Sequence, residues 1–135
     1  MMADRLSIGN LAAATGVKVN TIRFYEDASV LPRPHRTPSG RRTYDADDVK
    51  RLRFVRRARE LGFNLDEIRS LLDLSGDPEG DCAEVNEIAT RHLQTVETKI
   101  HHLTRLREEL GRISNLCAGG RVSGCQVLEV LGSAG

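Results

Sequence analysis

Ser7 stands ahead of Ile8, Leu11 and Ala12, an apolar face at helical spacing, and Gly16 follows in the place of a left-handed terminator. The pattern predicts a short helix over residues 8 to 15, capped by Ser7. After the turn Gly16-Val17-Lys18, a second helix is expected from Val19 to Asp27. It turns Val19 and Ile22 inward, with Val30 beyond its end, and leaves Lys18, Asn20, Thr21, Arg23 and Tyr25 facing outward. Two short helices joined by a glycine-containing turn form the helix-turn-helix pattern, whose second helix lies in the major groove of DNA, although any small helical hairpin gives the same spacing. Residues 31 to 44 hold three prolines and a Ser39-Gly40 turn, which stops a helix and favours a short hairpin. Arg33, Arg36, Arg41 and Arg42 decorate it, so the hairpin reads as a wing that grips phosphate beside the second helix.

Asp45, with Asp48 in the following turn, opens a third helix whose apolar side is Val49, Leu52, Val55 and Phe54, up to Gly62. Asn64 with Glu67 repeats that cap signature and opens a fourth helix through Ile68, Leu71, Leu72 and Leu74, ending at Ser75-Gly76-Asp77-Pro78. From Ala83 to Leu116 nothing interrupts a helix except Gly111, which gives 34 residues, or ~50 Å at ~1.5 Å per residue. Leu93, Val96, Ile100, Leu103, Leu106, Leu110, Ile113 and Cys117 recur at gaps of 3, 4, 3, 3, 4, 3 and 4, a coiled-coil stripe with one residue missing from its phase. Such a helix alone would leave its stripe in water. The simplest partner is a second copy of the chain. A short apolar helix, Gln126 to Leu131, follows a glycine-rich loop. The expected fold is all-α, with residues 1–75 as a winged helix-turn-helix unit, 76–116 as linker and dimerisation helix, and 117–135 as a loop and short C-terminal helix.

The 135 residues are 39% hydrophobic, 29% charged and only 4% aromatic, which suits one ordinary domain or two small ones packed with aliphatic side chains. No stretch approaches the ~20 apolar residues of a membrane span. The amino terminus lacks the apolar run of a signal peptide, so a reducing cytoplasm is the expected location. The net charge of +1 divides unevenly: residues 1 to 60 hold 13 Lys and Arg against 7 Asp and Glu, and residues 61 to 135 hold 7 against 12. A basic first half is the footprint of a surface that meets a polyanion. Two differently solvated surfaces explain the charge division equally well on its own.

Cys117 and Cys125 stand at the ends of a loop containing Gly119, Gly120 and Gly124, which can fold so that both thiols face one ion. Cys82 lies 35 residues before Cys117, ~50 Å away along a continuous helix. If two such helices pair antiparallel, Cys82 of one subunit meets Cys117 and Cys125 of its mate, giving two three-thiolate sites per dimer. The competing readings are small buried hydrophobes and a regulatory disulfide. Soft thiolates select Hg(II), Cd(II), Pb(II), Zn(II) or Cu(I) and exclude Mg(II) and Ca(II). His92, His101 and His102 fall mid-helix and read as solvated or interface residues. No His/Asp pair converges on a cysteine, so the chain is not expected to be an enzyme.

The segments Leu6-Ser-Ile-Gly-Asn-Leu-Ala, Val19-Asn-Thr-Ile-Arg-Phe-Tyr-Glu26, Gly40-Arg-Arg-Thr-Tyr44, Val49-Lys-Arg-Leu-Arg-Phe54 and Gly62-Phe-Asn-Leu-Asp-Glu-Ile68 resemble the MerR family of transcriptional regulators over the whole chain. The resemblance implies a homodimer on double-stranded promoter DNA, held by a long antiparallel helix pair, that acts on RNA polymerase indirectly by bending and untwisting the promoter. It implies DNA contacts from Lys18, Asn20, Thr21, Arg23 and Tyr25 on the recognition helix and from Arg36, Arg42 and Tyr44 on the wing. Phe24 stands where many members have tyrosine.

The cysteines resemble the metal-sensing branch, which implies Cys82, Cys117 and Cys125 as ligands of a divalent soft ion, Hg, Cd, Pb or Zn, inducing a resistance or efflux operon. The run Cys82-Ala-Glu-Val-Asn86 is similar to lead, cadmium and zinc sensors, and the three-cysteine set to the mercury sensor. The loop is one residue shorter than is common in mercury sensors, and Gln126 replaces a frequent proline. Copper-type members share the loop of seven intervening residues but usually carry serine in place of Cys82. A Cu(I) sensor using only the loop cysteines is therefore the alternative, with a thiol-oxidation sensor as another. Small-molecule sensors of the family usually add a larger effector domain than the residues after Leu116 would supply.

Overall fold

The computed structural model describes residues 5–116 and 119–133. The element order is α1 (Ile8–Thr15), α2 (Val19–Asp27), β1 (His35–Arg36), β2 (Arg42–Thr43), α3 (Ala46–Glu60), α4 (Leu65–Ser75), α5 (Cys82–Ser114), a 3-10 turn (Val122–Gly124) and α6 (Gln126–Ser133). The fold is mostly helical with a small antiparallel wing, as the sequence pattern predicts. The chain divides into two compact units, one ending at Ile88 and the other beginning at Ala89, so the division falls inside α5.

In the first unit the caps set the helix starts. Ser7 Oγ accepts the Asn10 N–H at 3.1 Å, and Gly16 closes α1 at φ +73° with its N–H on the Ala12 carbonyl. A side chain at Gly16 would collide with the Arg56 guanidinium. Arg56 Nη1 donates to the Thr15 carbonyl at 2.5 Å and Arg53 Nη2 to that of Ala14 at 3.3 Å. Two cations from α3 thus sit on the negative end of α1. Capping boxes open α3, between Asp45 and Asp48, and α4, between Asn64 and Glu67. The Asp48 backbone N–H holds the Asp45 carboxyl below its ordinary range. Burial pushes the Asp48 carboxyl above it.

Leu11, Ile22, Leu52, Val55 and Ile68 are fully buried, joined in one core by Val17, Tyr25, Val30, Leu31, Tyr44 and Ala58. Phe54, expected on the apolar side of α3, is 38% exposed. The buried stripe is Leu52, Val55 and Ala58, and Phe54 lies about 100° around the helix from Val55, outside that stripe.

The hairpin pairs His35 with Thr43 and Arg36 with Arg42. Its turn is closed by Gly40 at φ +86° and by Arg36 Nη1 donating to the Gly40 carbonyl at 2.8 Å. Beyond β2, Tyr44 and Leu6 exchange both backbone hydrogen bonds, at 2.7 and 2.9 Å.

Helix α5 runs for 33 residues, starting one residue before and ending two before the expected span. Along it Leu93, Ile100, Leu103, Leu106 and Leu110 are all exposed, from 43% to 63%. Ile113, three residues beyond Leu110, is buried. Leu128 and Leu131 of α6 are exposed as well. No helix among the described residues is long and apolar enough to cross a membrane.

Candidate nucleic-acid interface and thiol ligands

Helix α2 turns Ile22 and Tyr25 into the core, because residues three apart share a face. Lys18, Asn20 and Arg23 are exposed and Thr21 is half-buried, so these four form the outward polar face that the sequence pattern predicts. Tyr25 is a correction to that face: it is buried, and its carbonyl accepts the N–H groups of Val30 and Leu31. Phe24 remains exposed, its ring centroid 5.9 Å from that of Tyr25.

On the wing, Arg36 is exposed, Arg42 is half-buried and Tyr44 is buried. Tyr44 and Arg42 meet Glu26, a residue that sequence reasoning did not single out. The Tyr44 hydroxyl donates to Glu26 Oε2 at 2.7 Å, and Arg42 Nε lies 3.6 Å from Glu26 Oε1. The Glu26 side chain is only 5% exposed. Burial, followed by the hydrogen bond to the Glu26 carboxylate, pushes the Tyr44 phenol well above its ordinary range. The signal was present in the sequence: Glu26 follows Ile22 by four positions, which puts a carboxylate on the inward face of α2. Glu26, Arg33, Arg36, Arg42 and Arg51 line a cleft of about 900 Å³ between α2, the hairpin and α4. Asp27, Asp73 and Asp77 line it as well, so its four arginines face as many carboxylates.

Cys82 is the first residue of α5 and is exposed. Asp81 Oδ1 just before it accepts the Ala83 N–H at 2.9 Å. Cys125 is half-buried between the 3-10 turn and α6, and its N–H donates to the Val122 carbonyl at 3.0 Å. Cys117 lies outside the described residues. Among the described residues of one chain no three His, Cys, Asp or Glu side chains gather as a metal site. The thiols at Cys82 and Cys125 are soft donors, matched to soft ions and poorly to hard ones.

A fold that joins a short helix pair, a basic two-stranded wing and a long helix with an uncovered apolar stripe defines a winged helix-turn-helix DNA-binding regulator. A family model described as MerR HTH family regulatory protein matches residues 6–75, and one described as MerR, DNA binding, matches residues 49–113. The HTH-type transcriptional regulator HmrR of Rhizobium leguminosarum bv. viciae is 40% identical over 126 residues, 93% of this chain and 97% of that protein. The transcription regulator PbrR691 from Ralstonia metallidurans CH34, solved in complex with lead(II), superposes with a TM-score of 0.85 at 38% identity, covering 93% of this chain and 98% of that one. The dual-function regulator MerR of Bacillus megaterium MB1, solved with mercury(II), gives 0.72 at 30% identity over 95% and 100% of the two chains. The chain belongs to the MerR family of transcriptional regulators.

Proposed function

We propose that this regulator binds promoter DNA as a homodimer and responds to a divalent soft metal ion, Hg, Cd, Pb or Zn, by activating a resistance or efflux operon. The observation that carries the reading is the placement of Cys82, exposed at the head of a 33-residue helix whose apolar stripe is uncovered. Antiparallel pairing on that stripe brings Cys82 of one protomer to the loop cysteines of its mate. Cys82, Cys117 and Cys125 then form a three-thiolate set, which suits divalent ions better than the two-thiolate set of a linear Cu(I) site. The lead(II) and mercury(II) complexes of the two related regulators support the same choice.

When bound, the ion supplies a link between two subunits, and its effect on DNA is a shift in the relative population of two dimer geometries. Lys18, Asn20, Thr21 and Arg23 face the groove, Arg36 and Arg42 hold phosphate, and Tyr25 and Tyr44 order those contacts from the core. Bending and untwisting of the promoter then passes the change to RNA polymerase without direct contact.

The test is transcription in vitro, with anaerobically purified protein and a promoter carrying its own operator, across a titrated panel of Hg(II), Cd(II), Pb(II), Zn(II) and Cu(I). Activation by a divalent ion, lost in Cys82→Ser, is the expected result. A response to Cu(I) alone that survives Cys82→Ser would replace the reading with a two-thiolate sensor. Activation by an oxidant without metal would make it a thiol-redox sensor. Arg23→Ala should weaken binding to the operator by ~1–3 kcal/mol while sparing random DNA, as removal of a base-edge hydrogen bond does. Equal losses on both DNAs would move Arg23 to the phosphate backbone.

A further inference from the structure

We propose that Glu26 is a positioning residue that fixes the wing against the recognition helix and thereby sets how the wing meets phosphate. The inference rests on the DNA-binding reading above. The wing is too small to hold its own direction: each strand has two residues, and an isolated two-stranded hairpin is marginal in water. Its backbone is tied at one end by the Leu6–Tyr44 bridge. Its side-chain tie to α2 is Glu26, one turn beyond the outward-facing Arg23 on the same helix.

Arg42 and Tyr44 are two apart in an extended segment, so both project from one side of the wing. Both reach the same carboxylate, one by a hydrogen bond and one by charge. Glu26 Oε1 and Arg42 Nε are buried and otherwise without a hydrogen-bond partner among the described residues. The 3.6 Å between them exceeds hydrogen-bond reach, so the arginine is drawn in by the ion pair and not by a directional bond. A buried carboxylate is costly unless paired. Both of its side-chain partners come from the wing, so displacing the wing from α2 would forfeit that hydrogen bond and ion pair together. The arrangement therefore couples the angle of the wing to the groove-facing helix through the Glu26 carboxylate, beside the Leu6–Tyr44 bridge and the burial of the Tyr44 ring in the core.

The test compares Glu26→Gln with the unaltered dimer on operator and random DNA over a range of salt. The amide keeps the shape and can still accept from Tyr44, while the charge that holds Arg42 is gone. We expect a folded dimer with affinity reduced about tenfold on both DNAs and a shallower salt dependence, the slope falling by about 0.9 for each phosphate that the wing no longer neutralises. Tyr44→Phe, which keeps the ring in the core, should give a smaller loss of the same kind and serves if the glutamine variant does not fold. A merely structural role would lower the melting temperature or the active fraction without altering the salt slope. An unchanged or steeper slope in the folded variants overturns the proposal, and so does a loss confined to operator DNA. The controls separate the two readings. If the unaltered protein binds neither DNA, the DNA-binding reading fails. If it binds and Arg23→Ala weakens it while Glu26→Gln does not, only the positioning role fails.

Discussion

The two compact units satisfy the hydrophobic effect in opposite ways. The unit ending at Ile88 closes on itself: helices α1 to α4 bury Leu11, Ile22, Leu52, Val55 and Ile68 completely. The unit beginning at Ala89 carries five large aliphatic side chains along α5 in an exposed row. Single exposed apolar residues are ordinary, but a contiguous row at coiled-coil spacing marks a surface made to be covered. The first unit's packing is written within one chain. In the proposed homodimer a second copy covers the second unit's row, so its stability should depend on protein concentration where the first unit's does not.

The largest expected effect breaks the second unit without touching the first. Leu103→Asp places a carboxylate from each protomer in the helix interface, at a cost of several kcal/mol if it stays buried and unpaired. Sedimentation at micromolar concentration should show monomers, with operator binding lost and the helical signal of the first unit retained. A dimer as tight as the unaltered one would remove the stripe from the interface. Next in size, Leu52→Ala opens a cavity in the closed core and should cost about 2–5 kcal/mol. Its loss of melting temperature should be the same at every protein concentration, whereas a milder Leu103→Ala should melt in a concentration-dependent way. Concentration dependence in both would contradict the contrast between the units.

The smallest effect sharpens the picture at the wing. Tyr44 titrates above its ordinary value near 10 because burial and Glu26 disfavour the phenolate. Its folded-state pKa is therefore raised above the unfolded one. The stability it contributes is fully present below pH about 10 and is lost as the pH rises beyond that. Denaturant titrations at rising alkaline pH should show a steeper loss of stability in the unaltered protein than in Tyr44→Phe. Parallel curves would mean that the hydroxyl is not held as described.

Much of this was legible in the residues. The bounds of α1 and α2 match the cap and periodicity argument residue for residue, because Ser7 and Gly16 are local signals that tertiary packing has no reason to override. The wing was visible in its prolines and the Ser39-Gly40 turn. Less legible was the direction of side chains at the boundary of a face. Tyr25 was expected outward with its polar neighbours, yet its ring follows Ile22 into the core, and Phe54 went the other way. A tyrosine's apolar body and polar tip fit either environment, and only the packed neighbours decide. Glu26 was passed over because a carboxylate among aromatics reads as solvent-facing until its partners, 16 and 18 positions later in the chain, are placed beside it. The proposed thiol set joins three cysteines that one continuous helix holds apart, so it requires a second chain, which no local pattern supplies.

The central claim, that one ion is held by cysteines of two protomers, is tested most directly by complementation. Cys82→Ser and the double variant Cys117→Ser/Cys125→Ser should each fail to form a three-thiolate site as homodimers. Mixed as a heterodimer, one half regains an intact Cys82 facing an intact loop while the other half loses every thiol. Titration with Cd(II) or Hg(II), followed by thiolate-to-metal ultraviolet absorption, should therefore find one tightly bound ion per heterodimer against two per unaltered dimer. Full binding by the Cys82→Ser homodimer, or no recovery in a folded heterodimer, would contradict the shared site.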